Sequence, residues 1–318
     1  MRITPLILTS AAAVLLVGVV GCDGSKPERV EAADVSQAKG LPQLLSTMPA
    51  AISTDTAITF SAESVLAKDD ALSDLKQGVR GMGAPSLARY THVLKEDLAI
   101  DLMGADVVVT VGAPPKQVTL ISGGQDAEAI IEAAKEQGWE GDKVLSQELD
   151  MQGNVLTVSV GHILAKGDSV MLGGQSADLT AKPGNVPESM KALSKCLGSS
   201  PVASIDGSDA VVSAIGLKQG SPVSGVICTF DTSRSAAKSR GEGIEEAVEN
   251  DLSVTRLRYS DMLSVDKVSH PTATTSRVDV SFPDQRPPSV LWQMQQRRDI
   301  PGVSGPDPLD SLRGRSSP

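Results

Sequence analysis

Nine short runs rich in valine and isoleucine, set between glycine- and proline-bearing turns, constrain this chain more than any other feature. They cover 57–60, 106–111, 117–122, 155–160, 169–173, 202–206, 210–215, 223–230 and 276–282. Runs of four to eight such residues bounded by turn formers read as strands. Helical patterns fall between them, at 63–79, 86–102, 126–137, 187–197 and 236–250. In 126–137, Ala127, Ile130, Ile131 and Ala134 share one face while Glu128, Glu132, Lys135 and Glu136 lie off it, with Asp126 placed to cap the start and Gly138 to stop the end. Short paired strands followed by a helix predict an α+β fold in which largely antiparallel sheets pack with helices.

The pattern also suggests a duplication. The run Ala105-Asp106-Val107-Val108-Val109, then 117–122 and a helix, parallels Ser208-Asp209-Ala210-Val211-Val212, then 223–230 and a helix, at an offset of about 103 residues. Two strand–strand–helix halves, 41–200 and 201–298, are one reading; chance likeness between two generic α+β segments is the other. Aromatic residues make up 2% of the chain, so the core must be built from aliphatic side chains.

The first 22 residues set the compartment. A basic start at Arg2, an apolar stretch over 6–20 interrupted by Thr9 and Ser10, and small residues before Cys22 fit an export signal rather than a membrane-spanning helix. The sequence Val19-Val20-Gly21-Cys22 resembles the lipobox of bacterial lipoprotein precursors. The resemblance implies removal of 1–21 and lipidation of Cys22, which would hold the mature protein to the outer face of the cell membrane; two or more acyl chains suffice for stable anchoring. Ordinary secretion with Cys22 as a passenger and a retained helix are the alternatives. Residues 22–40 read as a flexible tether, 41–298 as the extracytoplasmic domain, and 299–318, with Pro301, Pro306, Pro308 and Pro318 among Gly, Ser and Asp, as a disordered tail.

A second resemblance follows from Gly112-Ala113-Pro114-Pro115, the strand pattern 117–123 and the helix ending Gln137-Gly138-Trp139. Together with the lipobox, these look like exported lipoproteins of high-GC Gram-positive bacteria, a group that implies lineage and no activity. In physical terms, Pro114 and Pro115 fix a bend and cannot donate to a strand ladder, and Trp139 is placed to cover the end of its helix.

Charge and residue counts narrow the partners. The formal charge of −10 falls to −11 when Arg2, the charged residue of 1–21, is removed, which argues against nucleic acid. In an oxidising compartment Cys196 and Cys228 predict a disulfide, with two buried free thiols as the alternative. His92, His162 and His270 stand about 70 and 108 residues apart, without metal-ligand spacing, and no nucleophile elbow accompanies them. Glu96, Asp97 and Asp101 read as a solvated helix face. The turns Ser122-Gly123-Gly124-Gln125 and Leu172-Gly173-Gly174-Gln175 lack the spacing of a phosphate-binding loop and read as strand exits with positive φ.

The sequence therefore predicts a membrane-anchored envelope protein without catalytic, metal or cofactor residues, which binds or scaffolds an envelope partner. A carrier of a lipid or other apolar ligand is the alternative, and a hydrolase without a recognisable motif the third reading. An enclosed apolar cavity would favour the carrier.

Overall fold

The computed structural model describes residues 40–68, 72, 81–149, 155–207, 211–283 and 286–303. In chain order the elements are α1 (Leu41–Thr47), β1 (Ile58–Ser61), α2 (Glu63–Lys68), α3 (Thr91–Leu98), β2 (Val107–Val111), β3 (Val118–Ser122), α4 (Ala127–Glu136), β4 (Leu145–Ser146), β5 (His162–Lys166), β6 (Ser169–Gly173), α5 (Glu188–Leu197), β7 (Val202–Asp206), β8 (Val212–Lys218), β9 (Ser224–Phe230), α6 (Arg234–Asn250), β10 (Ser264–Thr272), β11 (Thr275–Ser281) and α7 (Ser289–Arg297). Three short 3-10 turns, at Ala88–Tyr90, Val155–Val158 and Tyr259–Asp261, complete the described set. The class is α+β, as expected from the pattern.

All strands join one 11-stranded sheet in the order β10-β11-β9-β8-β7-β1-β2-β3-β6-β5-β4, and each pairing is antiparallel. Outward from the centre, the same arrangement occurs twice. On one side run β1, β2, β3 and then, after α4, β6 and β5; on the other run β7, β8, β9 and then, after α6, β11 and β10. The two sets meet where β1 pairs with β7, in the register Ile58↔Ile205, Thr59↔Ser204, Phe60↔Ala203 and Ser61↔Val202. The first set carries an addition, 62–106, between its first two strands, where the second is joined by 207–211.

Alternation of side chains across the pleat divides the core by face. Val109, Leu120, Val226 and Cys228 point into one cluster, which α1 closes with Leu44 and Leu45 and α5 with Met190 and Leu193. Their neighbours Val108 and Ile121 face the opposite side, under α3 and α4. Ile227 and Val278 face that side too, under α6 and α7. Helices therefore cover both faces, which is why the central strands read as continuous apolar runs rather than as alternating ones.

Local chemistry explains most boundaries. Asp126 caps α4 by accepting from the Glu128 and Ala129 amides at 3.1 and 3.2 Å, and Gly138 leaves the helix at φ +85°. Trp139 then turns beneath α4 and is 2% exposed, so it fills the core instead of shielding a helix end. The pattern over 86–102 shortens to the 3-10 turn and α3, which stops where Ala99 adopts φ +55°. Of 63–79, the helix spans Glu63–Lys68; 69–71 and 73–80 lie outside the described residues.

Other expectations change. The apolar run 155–160 forms a 3-10 turn at Val155–Val158 instead of a strand. The two glycine turns differ: Gly123 and Gly124 have positive φ, whereas Gly173 and Gly174 do not. A Cβ on Gly174 would instead strike the Pro115 carbonyl oxygen, so close backbone approach explains that glycine. The order of the chain also runs past 298: Asp299, Ile300 and Val303 are 4%, 3% and 4% exposed and pack with the second half. Residues 1–39 and 304–318, with Cys22 among them, lie outside the described residues.

Candidate functional site

A concave surface at the centre of the sheet lies beside α1, where β1 and β7 meet. Small residues make it. Ala62 and Ala203 follow Phe60 and Val202 along the central pair, and the Ala62 amide donates to the Pro201 carbonyl at 2.7 Å, which draws the two strand ends together. Gly198 ends α5 at φ +65° and Ser199–Pro201 carry the chain directly into β7. α1, started by Gly40 with Pro42 in its first turn, leans over this junction. The result is a cleft of about 470 Å³ lined by Leu41, Phe60, Ala62, Val65, Leu197 and Pro201 among others.

Two hydroxyls of the cleft wall are turned inward, while Gln43, Ser199 and Gln219 are exposed around it. Ser194 Oγ donates to the Lys191 carbonyl at 3.0 Å and Ser200 Oγ to that of Leu197 at 2.9 Å. Carbon therefore dominates the surface offered to a ligand, with the exposed Lys195 ammonium at the rim. Such a site suits an acyl chain or an aliphatic side chain, with an anionic end toward Lys195.

Cys196, in α5 beneath this cleft, sits at disulfide distance from Cys228 in β9, with Sγ atoms 2.02 Å and Cα atoms 6.2 Å apart. Arg277 of β11 reaches the end of α5 and donates to the Cys196 carbonyl, which places a cation at the negative pole of the helix. The same guanidinium holds Asp279 at 2.9 Å, and Lys218 of β8 reaches Asp279 at 2.5 Å across β9. Burial pushes the Asp279 carboxyl up, but Arg277 and Lys218 outweigh it and hold it below the usual carboxylate range.

The histidines do not converge. His92 pairs with Glu96 at 2.9 Å on the open face of α3, where Asp97 is also exposed, and Asp101 takes an ion pair from Lys95 at 2.7 Å that lowers its carboxyl. His270 lies with Arg234, Ser235 and Lys238 around an open surface hollow at the start of α6. Among the described residues His162 has a serine in reach: its Nδ1 is 2.9 Å from Ser146 Oγ and its Nε2 is 3.3 Å from the Gln175 carbonyl. With Nε2 donating to that carbonyl, Nδ1 is left to accept from the serine, the proton arrangement a general base needs. The amides that could receive an oxyanion are committed, however. Ser146 N donates to Glu140 O at 2.8 Å and Gln147 N to Gly161 O at 3.1 Å. The pair thus fastens the short strand β4 onto β5.

Sequence reasoning foresaw neither the cleft nor this pair. Both bring together residues far apart in the chain, and β4 and α1 have too few residues to show a period. Among the described residues no group of His, Cys, Asp or Glu is arranged to hold a metal ion. Compared with known proteins, the chain matches no family model, no curated protein and no solved structure.

Proposed function

We propose that this protein is an envelope lipoprotein, anchored to the membrane through Cys22, whose α+β domain acts by binding. The observation that carries the binding role is the apolar cleft between α1 and the β1–β7 junction, a preformed concavity beside Gly40. The cysteine pair at disulfide distance supports an exported setting, because such bridges persist in oxidising compartments. An apolar ligand is the occupant the lining favours, since Leu41, Phe60, Ala62, Val65, Leu197 and Pro201 supply much of the wall and the Ser194 and Ser200 hydroxyls are already bonded to backbone carbonyls. On this reading the protein is a carrier or sensor of a lipid-like molecule, and a scaffold role follows if the cleft receives an aliphatic side chain of a protein partner.

Two measurements test the reading. Replacing Cys22 by Ala should release the protein from the membrane fraction and abolish acylation; a variant still acylated and still membrane-bound overturns the anchor. Native mass spectrometry with lipid extraction on the protein from its own type of host should show a reproducible bound apolar mass, reduced when Ala62 or Ala203 is enlarged to Leu. A clean mass for the wild type overturns the carrier reading and turns the search to cross-linked protein partners.

A further inference from the structure

The connection from α6 to β10 places three aliphatic side chains in water on a small loop. Leu252, Val254 and Leu257 are 57%, 61% and 41% exposed. The loop is built to hold this shape. An antiparallel bridge joins Leu252 to Arg258, Arg256 takes φ +63° at the tip, and Ser253 N donates to the Leu257 carbonyl at 2.8 Å. Beneath it lies Asp299, 4% exposed, which accepts from the Val254 amide at 3.1 Å and from the Tyr259 hydroxyl at 2.5 Å. Burial, reinforced by Asp299, raises the Tyr259 hydroxyl far above its ordinary range, so it stays the donor in this contact. The protruding side chains are thus presented by a fixed turn.

The surroundings are basic on an otherwise acidic chain. Arg256 and Arg258 are in the loop itself, Arg297 and Arg298 adjoin Asp299, and Arg286 Nε donates to the Asp261 carbonyl at 3.2 Å just after the loop. All five are exposed, against the exposed carboxylates Glu249, Asp251 and Asp261 nearby, while the whole chain carries −10. The position fits as well. The loop leads into Ser264, which pairs with Ser281, at the end of the strands where β1 finishes at Ser61 and β7 begins at Val202, beside the α1 start at Gly40.

We propose that the loop 251–258 is a membrane-docking tip, which inserts Leu252, Val254 and Leu257 among acyl chains while its arginines meet the headgroups of an anionic phospholipid surface. Apolar side chains on a narrow basic turn match a lipid interface, where aliphatic groups enter the acyl boundary and guanidinium groups stay with phosphate. The inference rests on the anchored reading for the membrane being close at hand. Docking would fix the orientation of the domain and set the cleft at a defined height over the bilayer.

The test uses the full chain, purified in its lipidated form and reconstituted into vesicles of either neutral phospholipid or the same lipid with about one-third phosphatidylglycerol. Val254→Cys and, as a control on a remote exposed residue, Leu149→Cys are labelled with an environment-sensitive fluorophore, and brominated lipids serve as quenchers. The expected result is a blue-shifted, bromolipid-quenched label at 254 on anionic vesicles, weaker by at least threefold on neutral ones, and a water-exposed label at 149. The double variant Leu252→Ser/Leu257→Ser, which removes only exposed side chains, should melt as the wild type does and lose most of the quenching at a label on 254. A label at 254 that remains in water while the protein floats with the vesicles overturns the docking tip and leaves the anchor standing. Quenching at 254 in a protein found to carry no acyl chain supports the tip and overturns the anchor. A label already shielded without vesicles shows the tip covered by protein, which also overturns it.

Discussion

The two sets of strands share one order but are fastened by different chemistry. In the first, Thr110 and Thr119 share a buried hydroxyl contact at 2.8 Å, Gln117 joins Thr119 at 3.2 Å, and Ser122 meets Ser169 at 2.9 Å. In the second, the Cys196–Cys228 pair ties α5 to β9, and the Lys218–Asp279–Arg277 network crosses from β8 to β11. The segment after the packing helix differs in the same spirit. Trp139 after α4 folds inward, whereas Leu252 and Val254 after α6 face water. Neutral hydroxyl pairs respond to neither protons nor thiols, while a carboxylate pair responds to protons and a disulfide to thiols. The second set is therefore the one whose strands are tied by a disulfide-distance pair and a charged network, and it carries the exposed tip.

The largest effect expected lies in the first set. Trp139→Ala should destabilise the protein by about 3–5 kcal/mol, the range for removing a buried aromatic side chain, as measured by denaturant unfolding. Trp139→Phe should cost far less, because Trp139 Nε1 has no hydrogen-bond partner among the described residues and the ring volume is mostly kept. If both substitutions cost the same, shape rather than volume holds that core.

Next comes the bridge. Breaking Cys196–Cys228, by reductant or by paired alanines, removes a cross-link over a sequence separation of 32 residues and should lower stability by about 3–4 kcal/mol on the chain-entropy estimate. Hydrogen exchange should show faster opening of β7–β9 with β2 and β3 unchanged. Equal loss of protection in both sets would mean that the sheet opens as one unit and that the two sets are not separately fastened.

The hydroxyl pair offers a smaller, signed test. Thr110→Val alone leaves the buried Thr119 hydroxyl with Gln117 as its remaining side-chain partner and should cost about 1–3 kcal/mol, whereas the double change to valine should cost less than the sum of the two single changes. Additive losses would sink the idea that the two hydroxyls act as a matched pair.

The smallest effect is acid sensitivity. Asp279 is held below the unfolded carboxylate value of about 3.9, so its contribution is present above that pH and is lost as the pH falls through the lower folded value. With partly exposed partners, the contribution should be under about 1 kcal/mol. Melting at pH 7 and pH 3 should show Asp279→Asn closing part of the gap that the wild type displays.

Where local chemistry sets the structure, it was legible beforehand. Asp126, the apolar face of α4 and Gly138 define their helix without help from the rest of the chain, and the buried strands β2, β3, β8 and β9 announce themselves by valine and isoleucine. β10 did not, because an edge strand that only half-buries Val265 and Val268 carries polar residues such as Asp266, Lys267 and His270, and irregularities after Val265 and Ser269 break its alternation. The run 155–160 misled for the opposite reason: Leu156 and Val160 are buried, yet a turn suffices to bury them. The cleft was invisible because its walls come from α1, β1, α5 and β7, and only the joining of β1 to β7 assembles them.

The placement of α1 also has a mechanical consequence. A pull arriving through the chain before Gly40 meets this seven-residue helix first. α1 is held by the burial of Leu41, Leu44 and Leu45, while the sheet behind it is held by ladders of backbone bonds that must shear together. Tension would thus peel α1 away before the strands yield, and in doing so would uncover the floor of the cleft at Phe60. On the proposed anchoring and binding, load on the chain and access to the cleft would meet in this one helix.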